Sequence, residues 1–161
     1  MFILDSNVFI EAKNRYYGFD FAPGFWDWLE CAQQQSQICS LEAVRKELEA
    51  RQDELSKWAV RNKPLFRKLD QKSADVFPAL TSWAKGQNYS QSAITKFANN
   101  YADYELIAYA KAHSLVLVTH EKSSPNSRTS IKIPDACRAM GVKVVDTFEM
   151  LRSASARLIL A

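Results

Sequence analysis

Short, unbroken apolar runs alternate along the chain with longer stretches in which apolar residues recur every three or four positions. The first run covers residues 2–4 and ends at Asp5, and a helix-like apolar cluster follows at residues 8–10. Runs of this length are typical of buried strands, whereas the wider spacing is typical of amphipathic helices. We therefore predict a strand that ends at Asp5 and a helix after it, for which Ser6 and Asn7 are suitable N-caps.

The alternation of strand-like and helix-like segments continues along the chain. The further predicted elements are a helix that begins at Pro23, a strand at residues 37–40, a helix capped by Ser40, charged helical segments to about Trp83, a helix that begins near Ala102 and is capped by Asn99 or Asn100, a strand at residues 115–119, a helix from Pro134 to Gly141, and a strand at residues 142–146. Residues 115–119, LVLVT, have the continuous apolar character of a strand covered on both faces. This order predicts an α/β fold in which a central, mainly parallel sheet lies between layers of helices.

Composition agrees with one compact globular domain. The chain has 161 residues, of which 47% are apolar and 24% are charged, and it contains only four glycines and five prolines. These values exclude a disordered, fibrous or repeat protein, and we expect a single domain over residues 1–161. No apolar run approaches the length of about 18 residues that a membrane span needs. We therefore expect a cytoplasmic protein with no membrane partner.

Charge and cysteine content add two weaker expectations. The net charge is +3, although nine basic residues crowd residues 45–72. Interspersed acids favour a solvated, salt-bridged helical face there over a nucleic-acid patch. The three cysteines, Cys31, Cys39 and Cys137, lack CxxC spacing. This pattern predicts buried, reduced thiols rather than a disulfide framework or a thiolate zinc site.

Acidic residues lie at or near the predicted ends of the strands. Asp5 closes the first strand, Asp146 closes the last, and Glu121 follows the LVLVT strand. Asp103, in the first turn of the helix that precedes LVLVT, and Glu47, in the helix after the second strand, can reach the same edge. Ligands of open parallel sheets bind beyond the carboxyl ends of the strands, where the strand order reverses. We therefore expect these acids to converge at one site.

Several converging carboxylates indicate a cation site, although each acid alone is explained by turn chemistry, the helix dipole or solvent exposure. Converging carboxylates raise one another's pKa values unless a cation balances their charge. Oxygen ligands select Mg²⁺ or Mn²⁺, and such ions activate water for attack on a phosphodiester. No protein nucleophile is then needed. The two histidines offer no metal pair and no base for a triad; we expect His113 at a helix C-terminus and His120 only beside the site.

Four sequence motifs resemble those of the PIN-domain nucleases. LDSNVFI resembles the opening of that family, and SLEAVRKEL resembles its helix with the second acid. YADYELIAYA and LVLVTHE are similar to its third and fourth acid motifs, in the same order and at similar spacing. The segments YYGFDFAPGFWDWL and KIPDACRAMGVKVVDTFEML further resemble a bacterial branch of PIN-like proteins, related to the VapC-type toxin ribonucleases.

The resemblance implies a PIN-like three-layer α/β/α sandwich and a Mg²⁺- or Mn²⁺-dependent endoribonuclease, the toxin component of a toxin–antitoxin pair. Its partners would be RNA, a protein antitoxin and a second copy of the chain in a homodimer. By motif, the resemblance assigns metal binding and catalysis to four acids, and support of these ligands to three polar residues. The acids are Asp5, Glu47, Asp103 and Glu121; the supporting residues are Ser6, Asn7 and Thr119.

Three features depart from the family's pattern. The fourth acid is usually Asp, and Glu121 is one methylene longer, so that Asp146 or Asp135 can substitute for it. A long helical insertion separates Glu47 from Asp103 and can reshape the groove. The aromatic residues between positions 16 and 28 can stack on single-stranded bases, but helical spacing favours a core role for Phe25, Trp26 and Leu29.

Two other functions remain open on the sequence. The first is a PIN-like scaffold that has lost activity and serves as a binding partner, for which Glu121 is the only support. The second is an aspartyl-phosphate hydrolase of the haloacid-dehalogenase type, which also begins with a strand and an Asp. Members of that family have an Asp-x-Asp motif at this point. The present chain has Asn7 at the position of the second Asp and therefore lacks the general acid.

Overall fold

A five-stranded, fully parallel sheet forms the centre of the computed structural model, which describes residues 1–159. The strand order is β3-β2-β1-β4-β5. The strands are β1 (Phe2–Leu4), β2 (Ile38–Leu41), β3 (Phe66–Arg67), β4 (Val116–Val118) and β5 (Val144–Val145). The helices are α1 (Ser6–Glu11), α2 (Pro23–Gln34), α3 (Glu42–Glu49), α4 (Glu54–Arg61), α5 (Gln71–Ala74), α6 (Phe77–Gly86), α7 (Gln91–Asn99), α8 (Tyr101–His113), α9 (Ile133–Met140) and α10 (Thr147–Ser153). The predicted α/β class, with helices around a parallel sheet, is confirmed.

The strand order reverses between β1 and β4, the two central strands. Ile3 pairs in register with Cys39 of β2 on one side and with Leu117 of β4 on the other. The backbone N–H of Asp5 continues the ladder by donating to the carbonyl of Val118 at 3.0 Å. The carboxyl ends of β1 and β4 therefore meet at the switch point where open parallel sheets bind ligands.

The core surrounds both faces of these central strands. Ile3, Leu4, Leu117 and Val118 are fully buried, as the continuous apolar character of their strands predicts. Helix α8 contributes Leu106, Ile107 and Ala110, which are also fully buried. Because α8 leads directly into β4, its packing also determines where its first turn lies relative to the sheet edge.

Most of the predicted helices begin and end close to their predicted positions. Pro23 opens α2, in which Phe25, Trp26 and Leu29 are buried in the core as expected. Gly141 ends α9 with a left-handed backbone, at φ 69°. His113 is the last residue of α8, as predicted, and its Nε2 lies 2.8 Å from a carboxylate oxygen of Asp70.

Two predicted caps are wrong. Helix α1 begins at Ser6 after Asp5, so that neither Ser6 nor Asn7 is its N-cap. Helix α3 follows Leu41, because the Ser40 hydroxyl instead donates to the carbonyl of Leu4 at 2.7 Å. Ser40 thus cross-links β2 to β1 immediately before Asp5. The N-cap position of α8 is Asn100, as expected, but its side chain makes no capping bond to the backbone.

Other differences concern elements with weak local patterns. The sequence did not predict β3, a two-residue strand that pairs with Ser40 and Leu41 through its backbone. It also did not predict that residues 12–16 form a π-helix. The prediction of three buried cysteines is wrong for Cys31, which is exposed on α2, whereas Cys39 and Cys137 are buried.

The aromatic segment packs largely on itself. Tyr17 stacks on Phe25 with ring centroids 4.3 Å apart, and Phe19 stacks on Trp26 at 4.0 Å. The indole N–H of Trp26 donates to the carbonyl of Tyr17 at 2.7 Å. These side chains are therefore engaged within the fold. No helix in the part of the chain that the structure describes has the length and apolar character to cross a membrane.

Candidate functional site

The carboxylate of Asp5 lies at the switch point and is buried, with 1% of the residue exposed. One of its oxygens accepts hydrogen bonds from the Thr119 hydroxyl at 2.8 Å and from the Asn7 amide at 3.3 Å. The other accepts from the Ser6 hydroxyl at 3.3 Å. Burial raises the pKa of Asp5, while the bonds from Thr119 and Ser6 lower it. The predicted supporting residues are thus in contact with Asp5.

Thr119 connects the two central strands at this edge. Its hydroxyl donates to Asp5 and accepts from the backbone N–H of Glu121 at 3.0 Å. Thr119 is itself 3% exposed. One side chain therefore holds Asp5 in place and sets the path of the chain toward Glu121.

Asp103 faces the other three predicted acids. It lies in the first turn of α8, where the Asn100 amide donates to its carboxylate at 2.6 Å. Burial, followed by the negative charges of Asp5, Glu121 and Glu47, raises the pKa of Asp103 to about 8. The structure thus brings the four acids into one electrostatic cluster, although they come from different elements.

Glu47 occupies the more open side of this cluster. It projects from α3, and its side chain reaches solvent. Its carboxyl is nevertheless surrounded by enough protein that burial raises its pKa; a hydrogen bond from Ser6 lowers that pKa and the charge of Asp5 raises it. The Ser6 hydroxyl, which donates to Asp5, therefore also lies near the Glu47 carboxylate.

Glu121 lies at the same edge, but both of its oxygens have partners. One accepts a hydrogen bond from the Lys132 ammonium at 3.0 Å. The other accepts from the backbone N–H of Ile133, the first residue of α9, at 2.7 Å. Glu121 thus differs from Asp103, which forms no such ion pair within residues 1–159.

The other two candidate acids are engaged elsewhere. Asp135 is buried, and it accepts from the hydroxyl of Ser123 and from the backbone N–H of Ser124 at 2.8 Å. Asp146 caps α10 in a reciprocal capping box with Glu149. Both carboxylates therefore have a structural role that explains their position.

Neither histidine joins the acids. His120 lies 2.8 Å from the Thr147 hydroxyl, and its ring packs near those of Tyr16 and Phe148. His113 pairs with Asp70 at the far end of α8. Both placements agree with the positions expected for the two histidines.

Several cavities open beside the cluster, and two examples show how its acids lie next to lysines. One, of about 290 Å³, is lined by Asp103, Glu121, Asn100 and Lys96 among others. The second, of about 650 Å³, is lined by Glu47, Asn100 and Tyr101 together with two lysines, Lys46 and Lys68. Asn100 lines both cavities. Acids and lysines therefore lie side by side along an open surface.

The donor chemistry of the cluster fits a hard divalent cation, because all its ligating atoms are carboxylate or hydroxyl oxygens. Burial is the main cause of the raised pKa of Asp103, and the charges of Asp5, Glu121 and Glu47 raise it further while Lys132 lowers it. Among residues 1–159, however, no group of three or more Asp, Glu, His or Cys side chains is arranged to hold a metal ion. Asp5, Asp103 and Glu47 thus fit such an ion in chemistry, whereas Glu121 would first have to release Lys132.

Sequence reasoning missed three residues of this edge. Lys132 and Asn100 hydrogen-bond to predicted acids, and Ser40 fixes the strand end before Asp5. For Asn100, the spacing of three residues to Asp103 at a helix start was a usable signal. The partners of Lys132 and Ser40 are 11 and 36 residues away in sequence, and no local pattern points to them.

The fold resembles that of a solved structure. The crystal structure of FitAcB from Neisseria gonorrhoeae matches with a TM-score of 0.52 and 21% sequence identity, over 89% of this chain and 96% of that chain. No curated protein matches the sequence. The sequence model of the family described as "Domain of unknown function (DUF4411)" matches residues 2–158. Because this match spans almost the whole chain, the protein belongs to the DUF4411 family.

Proposed function

We propose that the protein is a metal-dependent endoribonuclease that uses the acidic cluster at the carboxyl edge of β1 and β4. The observation that carries this proposal is the convergence of Asp5, Glu47, Asp103 and Glu121 at this edge, where burial first, and then the charges of Asp5, Glu121 and Glu47, raise the pKa of Asp103 to about 8. A fold has little reason to keep such repulsion at the switch point of its sheet unless a cation relieves it there.

The site has two parts: one carboxylate that hydrogen bonds hold in place, and two carboxylates that are less buried. Thr119, Ser6 and Asn7 hold the Asp5 carboxylate at a fixed position. Asp103 and Glu47 approach from α8 and α3 and are less buried than Asp5. A Mg²⁺ or Mn²⁺ ion held by Asp5, Asp103 and Glu47 would activate water and neutralise charge on the phosphodiester. The lysines of the adjoining cavity, Lys46 and Lys68, can contact further phosphates of the substrate.

The choice of RNA, and of a toxin paired with a protein antitoxin, rests on the resemblance of the four motifs to PIN-domain toxins. The same resemblance supports a homodimer. The arrangement of Asp5 and Asp103 at adjacent elements of the switch point agrees with this resemblance, and the parallel sheet provides the expected scaffold.

Cleavage of an end-labelled single-stranded RNA by the purified protein tests the proposal. We expect cleavage with Mn²⁺ or Mg²⁺ and none after chelation. Asp5→Asn and Asp103→Asn should lower the rate by about 100-fold or more, because they remove ligands of an ion that stabilises the transition state by several kcal/mol. Rates per mole of folded protein, with folding checked by circular dichroism, give the comparison.

Asp146→Asn is the matched control, since it removes an acid at the end of β5 while asparagine can still cap α10. It should cleave at the wild-type rate. If instead it abolishes cleavage, Asp146 completes the site. If the wild type shows no metal-dependent cleavage and binds RNA equally well after Asp5→Asn, the protein is an inactive scaffold. Hydrolysis of p-nitrophenyl phosphate that depends on Asp5, without RNA cleavage, would indicate the aspartyl-phosphate chemistry.

A further inference from the structure

Glu121 and Lys132 form a connected pair at the edge of the acidic cluster. The Lys132 ammonium lies 3.0 Å from one carboxylate oxygen of Glu121, and the side chains of Lys132 and Glu121 are 32% and 23% exposed. The second oxygen of Glu121 accepts from the N–H of Ile133 at 2.7 Å. Two partners on consecutive residues thus fix this carboxylate in one orientation.

The start of α9 explains why position 121 has Glu, which is one methylene longer than Asp. The first N–H groups of a helix have no partner within the helix, and its dipole favours a negative charge beside them. Glu121 supplies that charge from the loop after β4. Lys132 precedes the first helical residue, so that the same carboxylate also draws its ammonium toward the cluster.

A cap for α9 requires only one of the two oxygens. The other oxygen holds a cation beside the cavity of about 290 Å³ that Asp103 and Glu121 line. Lys96 lines the same cavity. Lys132 does not itself line this cavity, but its ammonium lies 3.0 Å from Glu121, which does. An anionic substrate that reaches Asp103 through this cavity therefore comes close to an ammonium that the ion pair orders in advance.

We propose that Lys132 contacts a phosphate of the substrate, and that Glu121 is a positioning residue for Lys132 rather than a metal ligand. This inference rests on the proposed nuclease function and assigns a different role to the fourth acid. The metal would then be held by Asp5, Asp103 and Glu47. Glu121 would act on the substrate only through the ammonium that it orients.

Two measurements test the roles of Glu121 and Lys132. Each is made on the wild type and on the Glu121→Gln and Lys132→Gln variants. The first is the affinity for Mn²⁺ by calorimetry without RNA, which needs no activity. Neither variant lacks a proposed ligand, so that only the changed charge acts on the ion: Lys132→Gln should bind Mn²⁺ at least as tightly as the wild type, and Glu121→Gln should lose no more than about threefold in affinity. A fall of about tenfold or more in Glu121→Gln would make Glu121 a ligand and overturn its assignment as a positioning residue.

The second measurement is the salt dependence of Mn²⁺-dependent RNA cleavage. Lys132→Gln should raise KM about tenfold with a smaller change in kcat, and should flatten the dependence of kcat/KM on KCl, because one phosphate contact is lost. Lys132→Arg should restore most of the affinity. Glu121→Gln should shift KM in the same direction, and the double variant should be no worse than Lys132→Gln alone.

Lys122→Gln is the control, since it removes an exposed lysine next to Glu121 in sequence. It should leave KM unchanged. If Glu121→Gln and Lys132→Gln lower only the melting temperature, the pair is merely a helix cap and the inference is wrong. If the wild type cleaves RNA and Lys132→Gln has the KM of the wild type, the role of Lys132 is wrong, while the proposed function stands. A wild type that cleaves no RNA overturns the proposed function and the role of Lys132 together.

Discussion

Asp103 is a single residue whose place in the candidate site lowers the stability of the fold. Its neighbours include three other acids, and burial together with the charges of Asp5, Glu121 and Glu47 raises its pKa to about 8. Lys132 lowers that pKa but does not offset the rise. In the metal-free protein, ionisation of Asp103 is therefore unfavourable relative to the unfolded chain.

Asp103→Asn should stabilise the metal-free protein at high pH. The folded pKa lies above the unfolded value of about 3.9, so the stability that protonated Asp103 contributes is present below pH 4 and lost as pH rises toward 8. Asparagine removes this loss and can keep the bond with Asn100 through its carbonyl oxygen. Melting temperatures in EDTA at pH 5 and pH 9 should show a gain at both pH values that is much larger at pH 9.

Asp75→Asn provides the reference for this experiment, because Asp75 lies outside the acidic cluster and its carboxylate accepts an exposed hydrogen bond from Gln71. Its melting temperature should follow the wild type at both pH values. An Asp103→Asn variant that is destabilised equally at pH 5 and pH 9 would contradict the proposed repulsion.

Lys132 immediately precedes helix α9, so this helix is the element that positions its ammonium. The helix N-terminus is joined to Glu121 through Ile133, and its C-terminus ends at Gly141 with φ 69°. This left-handed geometry suits glycine, since a side chain there is strained. The position of Lys132 beside the acidic cluster thus depends on a helix that is defined at both ends.

Gly141→Ala should lower the free energy of unfolding by about 1 kcal/mol, because alanine is disfavoured at this positive φ. A Cβ at this position would approach only Lys111 Nζ, at 3.8 Å, so a steric clash does not contribute. Urea unfolding curves measure the change. Gly86→Ala is the control: Gly86 ends α6, nothing lies within 4 Å of its added Cβ, and stability should stay equal or rise. Equal effects of the two substitutions would contradict the explanation.

The whole molecule determines the site because four separate elements meet at one point of the sheet. The ends of β1 and β4 lie side by side through the bond from Asp5 to Val118, while α3 and α8 bring Glu47 and Asp103. Ligand binding to such a folded-state site stabilises the whole fold.

Mn²⁺ should raise the melting temperature of the wild type. At a free concentration about 100-fold above Kd, binding contributes about 2.7 kcal/mol, which corresponds to about 5–10 °C for a domain of this size. Differential scanning fluorimetry with and without Mn²⁺ measures the shift. Asp5→Asn should lose most of the shift and Asp146→Asn should keep it; an equal shift in the wild type and Asp5→Asn would place the ion elsewhere.

Local signals in the amino-acid sequence were enough to predict several elements of the fold. Continuous apolar runs predicted the central strands, Pro23 and Gly141 marked helix ends, and the position of Asp5 after a strand was sufficient to place it at the sheet edge. The four acids could be proposed as one group because parallel strands present their carboxyl ends at the same edge. Their roles as metal ligands remain a prediction.

Contacts between residues distant in sequence depend on how the elements pack, and local patterns did not predict them. Strand β3 has two residues and forms through its pairing with β2, which no local periodicity indicates. Ser40 is a suitable helix cap by sequence, but packing of β2 against β1 brings it to the carbonyl of Leu4. The ion pair of Glu121 with Lys132 likewise depends on where α9 packs. Hydrophobic pattern therefore determined which segments form the sheet, while side-chain contacts across the fold distinguished Glu121 from the other acids.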